Sequence, residues 1–420
     1  MERLVIRGGK RLSGKMNVHG AKNSALPILA AALMTDDVCV IHNCPQLTDI
    51  EAAIKILEYL GCKVSRQADT VIVDSKGVNR YDIPDSLMRE MRSSVVFLGS
   101  ILSRMGRAQL SFPGGCEIGL RPIDLHISSI KRFGVEVKEE YGRLFFEVKG
   151  KLKATEIVLS FPSVGATENI MLTACCADGV TTVVNAAREP EISDLADFLN
   201  SCGAKIYGAG EGNLTIEGVK KLHSAEHTVI PDRIVATTYM CCAAVTNGSI
   251  LIDNIVPSHL GLVLPTLEEM GCFISIDEKS NALMITAPPK LRRIKNIVTM
   301  PHPGFPTDAQ APLMAVASVA QGTSVFVENI FESRYKHASE LARLGAKIKV
   351  EGKVAIVEGV ECLSGASVMA TDLRGGASLV IAGLCAKGKT EISNVYHIDR
   401  GYEELERQLR LVGADIKRKE

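Results

Sequence analysis

The sequence predicts an α/β protein built from six repeated units, arranged as two similar domains of three units each. The first observation is a recurring phrase in which a helical stretch ends at Gly and is followed by a short strand. Its six glycines, spaced 68–74 residues apart, are Gly61, Gly134, Gly203, Gly271, Gly345 and Gly413. The second is that several units contain an apolar helix rich in Ala, Gly and Ser that lacks the polar stripe of a surface helix. We therefore expect helices inside and sheets outside.

Each unit reads as strand, helix, strand, helix and strand, with room for a further strand. The repeated Gly stands where the second helix ends and a positive φ is favoured. A β-branched strand that ends near Asn follows the first helix, as in VCVIHN and TSVFVEN. A unit of this size cannot bury both helices alone, so we expect three units to share a core, with a boundary near Pro231. The alternative is an extended repeat scaffold, although such repeats are usually shorter, at about 20–50 residues.

Composition excludes several classes of protein. The 420 residues include 48 Lys and Arg and 48 Asp and Glu, whereas a nucleic-acid-binding protein usually has a basic excess. No apolar run reaches the ~18 residues of a membrane span, and the first residues do not form a signal peptide. The twelve cysteines show no CxxC or zinc-like spacing. We expect a cytoplasmic protein with reduced thiols and no metal, and we see no evidence for a membrane or nucleic-acid partner.

Positive charges collect where the first helix of each unit begins. Helix N-termini bind anions through free N–H groups and the helix dipole. If similar units place similar helix ends together, these positions would line a cationic cleft for a small, multiply anionic substrate. A solvated helix-end charge is the simpler interpretation of any single one of them. The residues at these starts are Lys22-Asn23, Arg92, Ser163-Val164, Arg233, Asp308 and Arg374.

Three further residues are candidates for the site. Asp308 is the one acid among the helix starts, and it is either a simple N-terminal helix acid or a group that accepts a hydroxyl proton. Cys116 lies in SFPGGCEIGLRPIDLH, a Gly- and Pro-rich insertion of the second unit, where nearby Arg121 would stabilise a thiolate. Arg400 precedes the last helix and is predicted to be a further helix-start cation. No GxGxxG motif is present, and we expect no nucleotide cofactor.

Four segments carry a family resemblance that covers essentially the whole chain. They are HGAKNSALPILAA (19–31), PGGCEIGLRPIDLH (113–126), PHPGFPTDAQA (301–311) and HIDRGYE (397–403). With them the chain resembles the enolpyruvyl transferases that act on UDP-N-acetylglucosamine at the first committed step of peptidoglycan synthesis. The resemblance implies two inside-out α/β domains, each of three βαβαββ units, with the active site in the cleft between them. It also implies that residues 22–230 form the domain with Cys116, whereas residues 1–21 and 231–420 form the domain with Asp308, Arg374 and Arg400.

The resemblance also implies a role for each site residue. Cys116 would be the general acid and the residue alkylated by fosfomycin, and Asp308 would take the proton of the sugar hydroxyl. Phosphoenolpyruvate would be held by Lys22, Arg121 and Arg400, with Arg374 assisting. The sugar nucleotide would contact Asn23, Arg92, Asp308 and Ile330. Its uridine diphosphate would lie on Arg121, Pro122, Ile123, Asp124 and Leu125, and on Phe161, Pro162, Ser163 and Val164.

Three other functions are possible for a chain of this kind, and particular residues argue against each. The sister transferase that acts on shikimate 3-phosphate shares the implied fold, but the GGC loop and HIDRGY argue against it. An RNA 3′-terminal phosphate cyclase would need a nucleophilic His and ATP, for which the sequence has no signal. A repeat scaffold or regulatory relative without activity would not need Cys116, Asp308 and Arg400 together.

Overall fold

The computed structural model describes residues 2–91, 93–111 and 123–420. From the N-terminus to residue 230 the elements are β1 (Arg3–Arg7), β2 (Ser13–Asn17), α1 (Lys22–Ala32), β3 (Val38–His42), α2 (Thr48–Leu60), β4 (Lys63–Gln67), β5 (Thr70–Asp74), α3 (Asp85–Glu90), α4 (Phe97–Met105), β6 (Arg107–Ser111), α5 (Asp124–Arg132), β7 (Val135–Glu140), β8 (Arg143–Val148), β9 (Glu156–Val158), α6 (Val164–Ala174), β10 (Val180–Val184), α7 (Pro190–Ser201), β11 (Lys205–Tyr207), β12 (Asn213–Glu217) and β13 (Glu226–Thr228).

From residue 231 onward the elements are α8 (Arg233–Val245), β14 (Ser249–Asp253), α9 (Val263–Glu269), β15 (Phe273–Asp277), β16 (Ala282–Thr286), β17 (Asn296–Val298), α10 (Thr307–Ala317), β18 (Thr323–Val327), α11 (Lys336–Arg343), β19 (Lys347–Glu351), β20 (Val354–Glu358), β21 (Ser367–Met369), α12 (Leu373–Cys385), β22 (Lys389–Ser393), α13 (Tyr396–Asp399), α14 (Leu405–Leu411) and β23 (Asp415–Lys419). Short 3-10 turns lie at Ser94–Val96 and Pro257–Leu260. No helix in these ranges is both long and apolar enough to cross a membrane.

The chain divides into two compact units. One consists of the segment that ends at His19 together with Pro231–Glu420, and the other runs from Gly20 to Ile230 in its described part. Each unit has its own buried apolar core.

The sheets of the described chain share one plan, in which a parallel pair of strands is extended by two antiparallel strands. The strand orders are β13-β3-β5-β4, β6-β8-β7 and β11-β12-β10-β9 in one unit, and β15-β16-β14-β2, β17-β18-β20-β19 and β21-β22-β1-β23 in the other. In β6-β8-β7 the place of the first parallel strand is held by a single bridge between Asp82 and Gln109. The common order shows that the repeat in the sequence is a repeat in topology.

Three strands join sheets that are distant from them in the sequence. β13 pairs in parallel with β3, so the end of the 20–230 unit completes its first sheet. β2 pairs in parallel with β14, whereas β1 lies antiparallel between β22 and β23. Two sheets of the 231–420 segment therefore each contain a strand from the N-terminus.

The helices lie inside and the sheets outside, as predicted. In α1 every residue except Asn23 is buried, and α8, α10 and α12 pack against one another in the core of their unit. Strands expose one face only: in β3, Cys39 and Ile41 are fully buried whereas the alternate residues are partly exposed. Burial of each large apolar side chain contributes about 1.5–3 kcal/mol, so these cores stabilise both units.

The glycines that end the second helices and the asparagines that end the strands have the backbone conformation that their positions require. All six repeat glycines have φ between 85° and 109°, a region that side chains rarely adopt. Asn43, Asn185 and Asn254, at the ends of their strands, also have positive φ. Their side-chain amides donate to the backbone carbonyls of Val229, Leu159 and Val18, respectively, which joins each strand end to its parallel neighbour.

Candidate active site

Asp308 lies in the first turn of α10, between two buried guanidinium groups. Its Oδ1 accepts from Arg334 Nη2 at 2.7 Å, and its Oδ2 accepts from Arg374 Nε at 3.3 Å. The arginine side chains are only 3% and 2% exposed, whereas that of Asp308 is 27% exposed. Two cations therefore orient one carboxylate that remains accessible to a ligand.

Arg374 is held on its other sides by the core. Its guanidinium carbon lies 5.2 Å from the centre of the Tyr402 ring, and the Tyr402 hydroxyl lies 2.8 Å from Thr238 Oγ1. Arg374 Nη1 is buried and has no hydrogen-bond partner in the described part of the chain. An unsatisfied buried guanidinium N–H is a donor suited to an anionic ligand.

Glu328 organises the loop that follows β18. This buried carboxylate accepts from Thr307 Oγ at 3.0 Å and from the backbone N–H groups of Ile330 and Phe331 at 2.9 and 3.1 Å. Thr307 is the neighbour of Asp308, so Glu328 ties the start of α10 to the loop that carries Ile330. This role of Glu328 was not predicted from the sequence.

Arg400 is the C-cap of the short helix α13 and lies four residues before the N-cap of α14, Glu404. The prediction that Arg400 begins a helix is therefore wrong, because the HID segment before it forms its own helical turn. Its neighbour Asp399 accepts from Arg418 at 2.6 and 3.0 Å, and Arg418 also binds Glu406 and Glu2. The geometry of α13 thus depends on a charge cluster at the end of β23.

In the 20–230 unit, Lys22 begins α1 and its Nζ lies 3.1 Å from Asp49 Oδ2 in the first turn of α2. Both side chains are buried, so Lys22 is not a solvated helix-end charge. Neighbouring Asn23 is exposed. Asp49 was not among the residues predicted from the sequence.

The other predicted residues of this unit lie at the starts of α5 and α6. Ile123 is buried, whereas Asp124 in the first turn of α5 is exposed and Leu125 is half-buried. Phe161 is 41% exposed, Pro162 and Val164 are half-buried, and Ser163 caps α6 by accepting from Ala166 N–H. Arg92, Cys116, Arg121 and Pro122 lie outside the described residues.

Glu168, also in α6, is a buried carboxyl group that the sequence analysis did not single out. Burial, together with the charges of Glu191 and Glu189, raises the pKa of Glu168 to about 8. At neutral pH this side chain is therefore largely protonated.

Two expectations about the helix starts are corrected. Asp308 is not the only acid there, because Asp232 and Asp372 are the N-caps of α8 and α12. Each accepts two backbone N–H bonds, and therefore those helix ends have fewer donors for a ligand than predicted. The first helix of the second unit also begins later than predicted, at Phe97 after the turn at Ser94–Val96.

Arg334 is the main side chain that the sequence analysis missed. It lies between the strand-end Asn329 and the second helix of the fifth unit, in ENIFESRYKH, and Arg400 lies in the corresponding segment SNVYHIDRGY of the sixth. Comparison of the repeats at that position would have identified it. In the described ranges no group of three or more His, Cys, Asp and Glu residues could hold a metal ion.

The chain is similar to known proteins over nearly its full length. The family model described as EPSP synthase (3-phosphoshikimate 1-carboxyvinyltransferase) matches residues 6–409. UDP-N-acetylglucosamine 1-carboxyvinyltransferase 2 of Caldanaerobacter subterraneus subsp. tengcongensis is 52% identical, with both chains covered completely. UDP-N-acetylglucosamine 1-carboxyvinyltransferase 1 of Symbiobacterium thermophilum is 47% identical, over 99% of this chain and 95% of its own.

Solved structures share the fold. The enolpyruvyl transferase NikO from Streptomyces tendae superposes with a TM-score of 0.88 at 26% identity, over 99% of this chain and 98% of its own. EPSP synthase from Acinetobacter baumannii has a TM-score of 0.77 at 18% identity and covers both chains completely, which supports the fold alone. The repeat topology, the sequence identities and the family match together show that the chain belongs to the UDP-N-acetylglucosamine 1-carboxyvinyltransferases, within the wider EPSP synthase family.

Proposed function

We propose that the chain transfers the enolpyruvyl group of phosphoenolpyruvate to the 3′-hydroxyl of UDP-N-acetylglucosamine and releases phosphate, the first committed step of peptidoglycan synthesis. The observation that carries the proposal is Asp308, an accessible carboxylate oriented by Arg334 and Arg374. A hydroxyl that attacks a carbon centre must lose its proton, and a fixed carboxylate can accept it. The buried N–H of Arg374 without a partner in the described chain would meet an anionic substrate group.

The reaction proceeds by addition and then elimination. In the addition, the sugar oxygen bonds to C2 of phosphoenolpyruvate while Cys116 delivers a proton to C3, which gives a tetrahedral ketal that still carries phosphate. In the elimination, the thiolate left on Cys116 takes a proton back from C3, the C2=C3 double bond reforms and the bond between C2 and the phosphate oxygen breaks. Fixed cations stabilise the departing phosphate and the charge that develops.

The remaining residues are assigned to substrate binding. We assign phosphoenolpyruvate to Lys22, Arg121 and Arg400, and the sugar to Asn23, Asp308 and Ile330. Arg374 has its Nε on Asp308, so it orients that carboxylate in addition to assisting with phosphoenolpyruvate. The nucleotide is assigned to Arg92 and to the segments 121–125 and 161–164. Every cysteine in the described ranges is free, which supports a reducing, cytoplasmic location.

Release of inorganic phosphate tests the proposal. We expect release only when phosphoenolpyruvate and UDP-N-acetylglucosamine are present together, with a product whose mass is that of the nucleotide plus an enolpyruvyl group. Shikimate 3-phosphate in place of the nucleotide is the matched control. The assignment would be overturned if phosphoenolpyruvate released phosphate with shikimate 3-phosphate but not with UDP-N-acetylglucosamine, or with neither acceptor.

A further inference from the structure

Asn169 is a fully buried side chain in α6 that bonds to three other segments of its unit. Its Oδ1 accepts from the backbone N–H of Gly99 at 2.7 Å. Its Nδ2 lies 2.9 Å from His126 Nδ1 and 3.0 Å from the carbonyl oxygen of Val95. Nδ2 also lies 3.4 Å from the carbonyl oxygen of Gly165, so both amide N–H groups have partners and the oxygen accepts one hydrogen bond.

The contact with Gly99 occurs where α4 and α6 lie unusually close. Gly99 is the third residue of α4, whose first N–H groups have no partner within the helix, and Asn169 supplies one. A Cβ at Gly99 would lie 2.7 Å from the carbonyl oxygen of Asn169 and 2.8 Å from the Cβ of Leu172. The start of α4 is therefore held directly against α6.

The contact with His126 holds the start of α5 in the same way. His126 is the third residue of α5, and burial lowers its pKa to about 4, so the ring is neutral at physiological pH. A neutral Nδ1 that accepts from Asn169 leaves the proton on Nε2. The ring edge lies over Gly165, where an added Cβ would stand 3.0 Å from Cε1 and 3.2 Å from Nε2.

These three segments directly adjoin the residues assigned to the sugar nucleotide. Val95 lies three residues after Arg92, His126 follows Asp124 and Leu125, and Gly165 follows Ser163 and Val164. We propose that the buried Asn169–His126 pair is the positioning element of the nucleotide subsite, which sets the spacing of the three segments that bind UDP-N-acetylglucosamine. This inference rests on the proposed function, because it takes the nucleotide as the ligand of these segments.

Substitution of His126 tests the pair. His126→Phe keeps a buried ring but removes the acceptor, and loss of one buried hydrogen bond corresponds to about a 3- to 10-fold change. We expect the Kd for UDP-N-acetylglucosamine, measured by calorimetry, to rise by about that factor. The KM for phosphoenolpyruvate at saturating nucleotide should stay within about twofold. His126→Gln offers an amide oxygen as acceptor and should restore most of the nucleotide affinity.

Two further variants separate positioning from stability. Ser103→Ala removes a hydroxyl that bonds α4 to α6 at the carbonyl of Leu172, away from the helix starts, and should leave nucleotide binding unchanged. Gly165→Ala replaces Gly by a better helix former but crowds His126, so it should weaken nucleotide binding even if His126→Phe does not fold. Thermal unfolding of each variant reports its stability separately.

The outcomes distinguish the two proposals. If the unmodified chain binds UDP-N-acetylglucosamine but His126→Phe and Gly165→Ala bind it equally well, the positioning role is wrong and the proposed function stands. Equal losses for phosphoenolpyruvate and nucleotide would also overturn the positioning role. Failure of the unmodified chain to bind the nucleotide would overturn both.

Discussion

The environment of Asp308 shows how single side chains acquire a chemical role in this protein. An acid at a helix start is ordinary, and its sequence neighbours give it no special property. What distinguishes Asp308 is a pair of buried guanidinium groups on separate segments, which hold the carboxylate while leaving it partly exposed. Removing one member of such a buried cluster leaves the others uncompensated, which costs about 3–5 kcal/mol.

We predict that Asp308→Asn lowers turnover by about 100- to 10,000-fold, the usual contribution of a positioned general base. The amide keeps a hydrogen-bonding side chain but cannot take the hydroxyl proton. Nucleotide affinity by calorimetry should stay within about tenfold, while the melting temperature falls because Arg334 and Arg374 lose their anion. Retention of most activity would show that Asp308 only positions the sugar.

Cys116 should react with fosfomycin or iodoacetamide far faster than the other cysteines. Burial raises the pKa values of Cys44 and Cys62 to about 12 and that of Cys272 to about 11, which makes these thiols poor nucleophiles. A hydrogen bond with Cys202 lowers the pKa of Cys39 to about 6, but Cys39 is fully buried and inaccessible to the reagent. Peptide mapping after brief labelling measures how much of the reagent is attached to each cysteine. Comparable labelling of several cysteines would contradict a special role for Cys116.

Glu168 should make stability depend on pH. Its pKa is about 8 in the folded chain and about 4.3 when unfolded, so the folded state binds the extra proton. The stabilisation that this bound proton gives the folded state is fully present below the unfolded pKa and is lost as the pH rises to about 8. We therefore expect the free energy of unfolding of Glu168→Gln, measured with urea at several pH values, to rise relative to that of the unmodified chain between pH 5 and 8. A constant difference over that range would contradict the raised pKa.

Short elements are positioned here by charge clusters and not by their own propensities. α13 has only four residues, too few for a stable isolated helix. Arg418 on β23 bonds through its guanidinium to Asp399 at the end of α13 and to Glu406 in α14. The strand thereby determines where α13, and with it Arg400, is placed.

We predict that Arg418→Gln raises the KM for phosphoenolpyruvate by about 3- to 10-fold, as expected for loss of charge-assisted hydrogen bonds, and changes the KM for the nucleotide by less than about twofold. The carboxylates of Asp399, Glu406 and Glu2 would then repel one another without their shared cation. Arg407→Gln is the matched control, because Arg407 forms an exposed ion pair with Glu404. An equal effect of both variants, or a larger effect on the nucleotide, would contradict this positioning role.

The two compact units close their cores in different ways. The 20–230 unit takes its closing strand, β13, from its own end. The 231–420 segment instead borrows β1 and β2 from the N-terminus, and with them the buried side chains Leu4, Ile6 and Met16. Each buried side chain of that size contributes about 1.5–3 kcal/mol, which is a large share of a typical folding free energy.

We therefore predict that a fragment of residues 20–230 folds cooperatively, whereas a fragment of residues 231–420 does not. Linking residues 2–19 after Glu420 should restore folding, because Arg3 and Lys419 are paired neighbours and a short linker can join the ends. Urea unfolding followed by circular dichroism measures the folding of the two fragments and of the linked chain. Cooperative unfolding of 231–420 alone would show that the borrowed strands are dispensable.

Local features of this protein could be predicted from the sequence because each depends on a few adjacent residues. Gly with positive φ after the second helix, Asn at strand ends and small residues in buried helices all have local physical causes, and they predicted the six units and the inside-out layering. The pairings of β1 and β2 were not visible in the repeat, since their partners lie hundreds of residues away. The same holds for Asp308, whose arginines are 26 and 66 residues distant, and for the Asn169–His126 pair. Such contacts depend on how the helices pack in three dimensions, and only the tertiary structure decides them.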